Sequence, residues 1–189
     1  MARDDILTHT EMCQRERCML QRGMNFREAP GASVVLMSRR RGAPYEDEVS
    51  DDGTQVIYEG HDAPRSAEMP DPKAADQPMS LPSGKPTENA KFARACGQGA
   101  LARVYEKLQP GIWTDKGLFE LVSCDYVQSG CRKVFKFHMR LADIQGEGGV
   151  TTAVAEFSRA IPSWVKQDVY KRDKGRCVIC GAQDQLHFD

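Results

Sequence analysis

Cys177-Val178-Ile179-Cys180-Gly181 sets two thiols two residues apart with a glycine after the turn. That spacing suits one corner of a tetrahedral zinc site, whose two remaining ligands must come from elsewhere in the chain. No second pair follows, the other five cysteines lie well upstream, and His187 is the nearby candidate for a further ligand. A redox pair, or two ordinary cysteines, is the competing reading. A second cluster lies far upstream. Arg39-Arg40-Arg41 places three guanidinium groups in a row, a pattern that suits phosphate oxygens and that a solubilising turn also produces. Residues 43–62 then carry seven acids and no Lys or Arg, between a segment of net +3 (1–42) and one of net +5 (91–142). Tyr45 and Tyr58 stand inside this acidic stretch beside Asp47, Glu48 and Glu59. Aromatic rings next to carboxylates can stack a planar heterocycle and accept hydrogen bonds from its amino group. Each has a plainer alternative: Tyr45 as a surface turn residue after Pro44, Tyr58 as core at the end of a strand, and the acids as a solvated run.

The elements that must hold these groups follow from pattern and punctuation. With 189 residues, 40% apolar and 28% charged, the chain has the composition of a globular domain or a domain plus a piece. The net charge of −1 argues against a uniformly basic nucleic-acid binder. No run of 18 apolar residues predicts a membrane span, and nothing behind Met1 reads as a secretory signal. Seven scattered cysteines do not suggest a disulfide framework, so a reducing, cytoplasmic setting is expected. Loosely helical spacing predicts a helix over 4–22, stopped at Gly23, and β-branched runs predict strands at 33–38 and 55–58. Residues 61–90 hold six of the ten prolines and read as a long loop. Thr87 is placed to cap a helix reaching Cys96, and strands return over 101–106, 118–127 and 132–141. In the last of these Phe135, Phe137, Met139 and Leu141 share one face. Gln145 to Gly149 reads as a linker, and a helix is expected from Ser163 to Asp173. Trp113 and Asp115 read as structural.

Two family resemblances attach to these residues. Gly42-Ala43-Pro44-Tyr45-Glu46-Asp47-Glu48-Val49, Asp52-Gly53 and Val56-Ile57-Tyr58-Glu59-Gly60 resemble the SRA (YDG) domain. Asp76-Gln77, Thr87-Glu88-Asn89, Ile112 to Phe119 and Phe135-Lys136-Phe137 look like its later landmarks in order. The tail from Tyr170 to Gly181, with Leu186-His187-Phe188-Asp189, resembles the opening of an HNH nuclease domain. The pair is closest in style to bacterial modification-dependent restriction enzymes. The resemblance implies an α+β fold, a mostly antiparallel twisted SRA/PUA-like barrel of five to seven strands with flanking helices. It divides the chain into a helical segment (1–31), an SRA-like domain (32–143), a linker (144–162) and an incomplete HNH domain (163–189).

The same resemblance implies the partners and roles. Double-stranded DNA carrying 5-methyl- or 5-hydroxymethylcytosine would be bound with the modified base flipped out of the helix. Tyr45 and Tyr58 would stack it, Asp47, Glu48 or Glu59 would accept from its amino group, and Arg39, Arg40 and Arg41 would hold phosphates. Glu48 stands where the methylcytosine readers carry Asp, so Asp47 competes for that role, and on an extended strand Tyr45 and Asp47 would share a face that Glu48 would not. Cys177 and Cys180 would bind a structural zinc, and Asp189 would bind the catalytic ion, magnesium or another divalent metal. Homodimers are common among HNH restriction enzymes. The general-base His that follows the metal-binding Asp in that family has no counterpart here, so this 189-residue chain is expected to lack nuclease activity. Two alternatives stay open: a non-catalytic PUA-like module that binds RNA or a modified nucleotide, and a small zinc-stabilised structural protein.

Overall fold

The structure, a computed structural model, describes residues 5–40, 42–142, 163–183 and 186. In chain order it runs β1 (Ile6–Thr8), α1 (His9–Glu16), β2 (Met24–Asn25), β3 (Ser33–Met37), β4 (Glu48–Val49), β5 (Gln55–Glu59), α2 (Glu88–Ala95), β6 (Leu101–Gln109), β7 (Ile112–Ser129), β8 (Arg132–Leu141) and α3 (Ser163–Arg172). Among the described residues the strands form one eight-stranded sheet in the order β2-β3-β6-β7-β8-β5-β4, with β1 paired to the start of β7. The α+β class is as expected, but the sheet is open, with β2 and β4 at its edges, rather than a closed barrel of five to seven strands. The β3–β6 pair is parallel and the other pairs are antiparallel. Register shifts at Val104/Tyr105, Lys107/Gln109 and Leu121/Ser123 supply the bulges that bend it.

The helix expected over 4–22 is half that length. Residues 6–8 extend to pair with Thr114, Trp113 and Ile112, so a helix can start only at His9. Thr8 and Glu11 then form a reciprocal capping box, and Arg17 ends the helix in the left-handed region at φ 53°. Behind Thr87, α2 forms as its cap predicts. The main core gathers Val35 and Met37 of β3, Val56 and Tyr58 of β5, Phe92 of α2, and Phe119, Phe137 and Met139 of β7 and β8. A smaller cluster under α1 holds Met12, Leu20, Val34, Tyr105 and Trp113.

The proline-rich stretch is stitched to the sheet by two buried amides. Gln77 accepts from Phe135 N at 2.9 Å and donates to the Gly60 carbonyl at 2.6 Å. Asn89 accepts from His61 N and donates to the His61 carbonyl, both at 2.8 Å. A side chain at Gly60 would begin within 2.9 Å of Gln77, Asn89 and Phe135, so only glycine fits between them. The landmarks Asp76-Gln77 and Thr87-Glu88-Asn89 therefore position the chain around residues 60–62. The tail lies against the same body, since α3 packs on β6 and the Leu186 carbonyl accepts from Ile6 N at 2.7 Å. No helix among the described residues is long and apolar enough to cross a membrane.

Candidate functional site

A cavity of about 270 Å³ opens where the segment before β4 crosses the ends of β3 and β5. Tyr45 and Asp47 come from that segment, Ser38 from the end of β3, Tyr58 and His61 from β5 and the residues after it, and Gly23 from the approach to β2. Tyr45 and Asp47 face inward while Glu48 is exposed on β4. Of the two acids, Asp47 is therefore the one beside the cavity, as the alternation of successive residues expects.

Asp47 is held by the backbone. Its Oδ2 accepts from Ser38 N and its Oδ1 from Glu59 N, both at 3.1 Å. Burial raises its carboxyl to about 6, a shift that these two backbone donors oppose. Burial also lowers His61 to about 4. The signs are opposite. Asp47's contribution to stability is fully present below about pH 4 and lost as pH rises through about 6. That of His61 is present above about 6.5 and lost as pH falls through about 4.

Tyr58 is 1% exposed, its ring packed in the core. Its hydroxyl alone reaches the cavity, bonded to His61 Nε2 at 3.0 Å. Expected as a stacking plate, it serves as floor. The aromatic partner of Tyr45 is His61, whose ring lies nearly parallel to it (20°) with centroids 5.6 Å apart. Lys73 sits over the Tyr45 ring at 4.6 Å. Gly23 backs the floor, because a Cβ there would come within 2.6 Å of both the Tyr58 hydroxyl and His61 Nε2.

Glu59 is not at the cavity. It is buried in an ion-pair cluster, with Arg132 at 3.1 Å and Lys136 at 3.2 Å, and its Oε2 accepts from Glu46 N at 3.0 Å. Its charge fixes the backbone beside Tyr45. Arg39 is likewise engaged, pairing with the buried Glu106 at 2.9 Å. Arg40 is exposed, and Arg41 lies outside the described residues.

A second cavity of about 530 Å³ shares Arg22 and His61 with the first and adds Lys85, Lys91 and Asn89 to its wall. Arg22 and Lys85 are exposed cations at this double opening. Sequence reading missed Arg22, Gly23, Ser38 and His61. Each is a lone residue of a common type, and only the crossing of the segments marks it.

At the tail, Gly181 N donates to the Cys177 carbonyl at 2.8 Å, closing the knuckle turn. The Cys177 thiol is pushed below its usual range, first by the backbone N–H of Cys180 and then by that of Ile179. Two thiols supply half of a tetrahedral zinc's ligands. Among the described residues no group of three or more His, Cys, Asp or Glu completes such a site. His187 and Asp189 lie outside the described residues.

The α+β fold with its open mixed sheet matches that of SRA domains of solved structure. Three solved structures share it with this chain. The SUVH5 SRA domain in complex with fully methylated CG DNA is 17% identical with a TM-score of 0.54, the alignment covering 79% of this chain and 93% of that one. The same domain bound to fully hydroxymethylated CG DNA is 19% identical, TM-score 0.52, over 77% and 90%. Its hemimethylated CG complex is 19% identical, TM-score 0.52, over 80% and 93%. No family model matches the chain, and no curated protein matches it.

Proposed function

We propose that this protein reads 5-modified cytosine in double-stranded DNA by drawing the flipped base into the Asp47 cavity. The observation that carries the reading is a half-buried acceptor, Asp47, set beside an aromatic wall, Tyr45, in a small cavity at a strand end. A flipped base needs a stacking surface to replace its lost neighbours and partners for its polar edge. Asp47 accepts from the exocyclic amino group. The SUVH5 SRA complexes with methylated and hydroxymethylated DNA support the assignment by fold. Affinity for duplexes with one central 5-methyl-, 5-hydroxymethyl- or plain cytosine, and for RNA of the same sequence, tests it. A preference of tenfold or more for a modified duplex is expected. Equal affinity for modified and plain DNA overturns the reading, and preference for RNA returns it to the PUA-like alternative.

Asp47 makes that recognition pH-dependent. The amino group stabilises the ionised carboxylate, so affinity for modified duplex falls as pH drops below about 6. The steepest slope is tenfold per pH unit, and Asp47→Asn, weaker at neutral pH, gives a flat profile. A wild-type profile as flat as the variant's removes Asp47 from the contact.

Phosphates are assigned to Arg22, Lys85 and Arg40, the exposed cations around the opening and just past β3. Arg22→Ala is expected to weaken modified and plain duplexes alike and to reduce the salt slope by about 1. A loss confined to modified DNA would instead place Arg22 on the base.

The finer reading, modification-dependent restriction, rests on the tail's resemblance to an HNH opening. There Cys177 and Cys180 would contribute to a structural zinc, and Asp189 would bind the magnesium or other divalent ion that polarises the scissile phosphate. Zinc content of the purified protein tests the metal part; this chain is expected not to cleave methylated plasmid with magnesium, and cleavage overturns that expectation.

A further inference from the structure

We infer that Ser38 reads the acceptor edge of the bound base, its hydroxyl donating to a ring acceptor of the cytosine. This rests on the base-reading cavity proposed above. Ser38 lines that cavity, and its Oγ is buried with no hydrogen-bond partner among the described residues. Buried hydroxyls in folded proteins are nearly always paired, so an orphan on a cavity-lining residue points to a partner that arrives with the ligand.

Its position is fixed. Ser38 N donates to Asp47 Oδ2 at 3.1 Å, so the hydroxyl and the carboxylate are neighbours on one wall. The chemistry of the two groups is complementary. A cytosine edge offers one donor, the exocyclic amino group, and two acceptors, the ring nitrogen N3 and the carbonyl O2. The Asp47 carboxylate can only accept. A donor must therefore come from another lining residue, and the other side-chain candidates lining the cavity are engaged or exposed. Tyr58 and His61 are bonded to each other at 3.0 Å, and Arg22 stands exposed at the opening. Ser38 is the buried hydroxyl left over. Together, Asp47 and Ser38 match cytosine's donor–acceptor order, whereas thymine would turn a carbonyl toward the carboxylate.

Ser38→Ala separates this role from a structural one. The hydroxyl has no partner in the free protein, so its removal is expected to leave the melting temperature unchanged or slightly raised. Affinity for both the 5-methyl- and the 5-hydroxymethylcytosine duplex is expected to fall about five- to tenfold, with the plain duplex unaffected. Unchanged affinity for both modified duplexes overturns the inference while leaving the base-reading function intact. A loss confined to the hydroxymethyl duplex also overturns it, since the hydroxyl would then meet the 5-substituent and not the ring edge. A melting temperature lowered by several degrees assigns Ser38 to the scaffold instead. Wild-type protein that fails to distinguish modified from plain DNA would fault the underlying reading, before Ser38 is tested.

Discussion

Arg132→Met is expected to destabilise the protein by about 3 kcal/mol. The side chain is 9% exposed and joins two acids, Glu59 at 3.1 Å and Asp62 through its other terminal nitrogen. Removing one partner of a buried ion pair leaves a carboxylate in a poorly solvated place, and that uncompensated charge is the main cost. Lys136 still reaches Glu59 at 3.2 Å and Lys73 still reaches Asp62 at 3.5 Å, which holds the loss at the lower end of the usual range. For a chain of this length the melting temperature should fall by about 6–12 °C. Binding should weaken as well, because Glu59 Oε2 holds Glu46 N at 3.0 Å and Lys136 holds the Glu46 carbonyl at 2.9 Å, one residue from Tyr45. Adding Glu59→Gln to Arg132→Met should cost less than the sum of the two single changes, since the stranded charge goes with it. A melting temperature within 2 °C of wild type for the single variant would show that the cluster does not anchor this end of the sheet.

That cluster also shows where the sequence stopped being legible. Glu59 and Asp47 look alike on the page: each is an acid near a tyrosine in one acidic stretch. Their fates are decided by residues far along the chain, Arg132 and Lys136, which lie 73 and 77 positions beyond Glu59. Local pattern contains no such information, so it groups Glu59 with the base-binding acids, whereas the structure places it in an ion-pair cluster. The pairing of Arg39 is hidden for the same reason, its partner Glu106 lying 67 residues away. Strands with a plain alternation were legible. β3, β5 and β8 fall within a residue of their expected limits, β3 as a short β-branched run buried on both faces and β8 through core-facing Phe135, Phe137 and Met139 at alternate positions. The first part of β7 was missed because Thr114, Asp115 and Lys116 are buried there despite their polarity. Arg15 and Arg103 neutralise Asp115 at 3.0 and 2.9 Å, and hydrophobic periodicity cannot register a charge buried in that way. β1, at three residues, is too short to have a period. The closed barrel implied by resemblance gives way to an open sheet, because strand pairing stops at β2 and β4, two residues each.

Tyr45→Ala should separate base reading from DNA binding most sharply. The ring is the stacking surface that remains once Tyr58 is assigned to the core. Stacking of a base on an aromatic side chain contributes about 1–3 kcal/mol as judged by alanine replacement. Affinity for modified duplex is therefore expected to fall roughly 5- to 150-fold. Plain duplex, held through phosphates without a flipped base, should change by less than twofold, so discrimination collapses while residual binding keeps its salt dependence. Tyr58→Phe is the informative contrast. It removes a hydroxyl bonded to His61 Nε2 but keeps the buried ring, so it should loosen the floor without removing a plate. Its effect on modified duplex should be several-fold smaller than that of Tyr45→Ala. Neither variant opens a core void, since Tyr45 is half-exposed and Phe keeps the buried ring, in contrast to a Tyr58→Ala change. Equal weakening of modified and plain DNA by Tyr45→Ala would mean that the ring meets the backbone of the duplex and that no base enters between it and Asp47. The geometry favours the other outcome. Tyr45 and His61 are nearly parallel at 5.6 Å, with Asp47 on the same cavity wall, so opening the rings slightly would seat a planar base against an acceptor already held in place by two backbone donors.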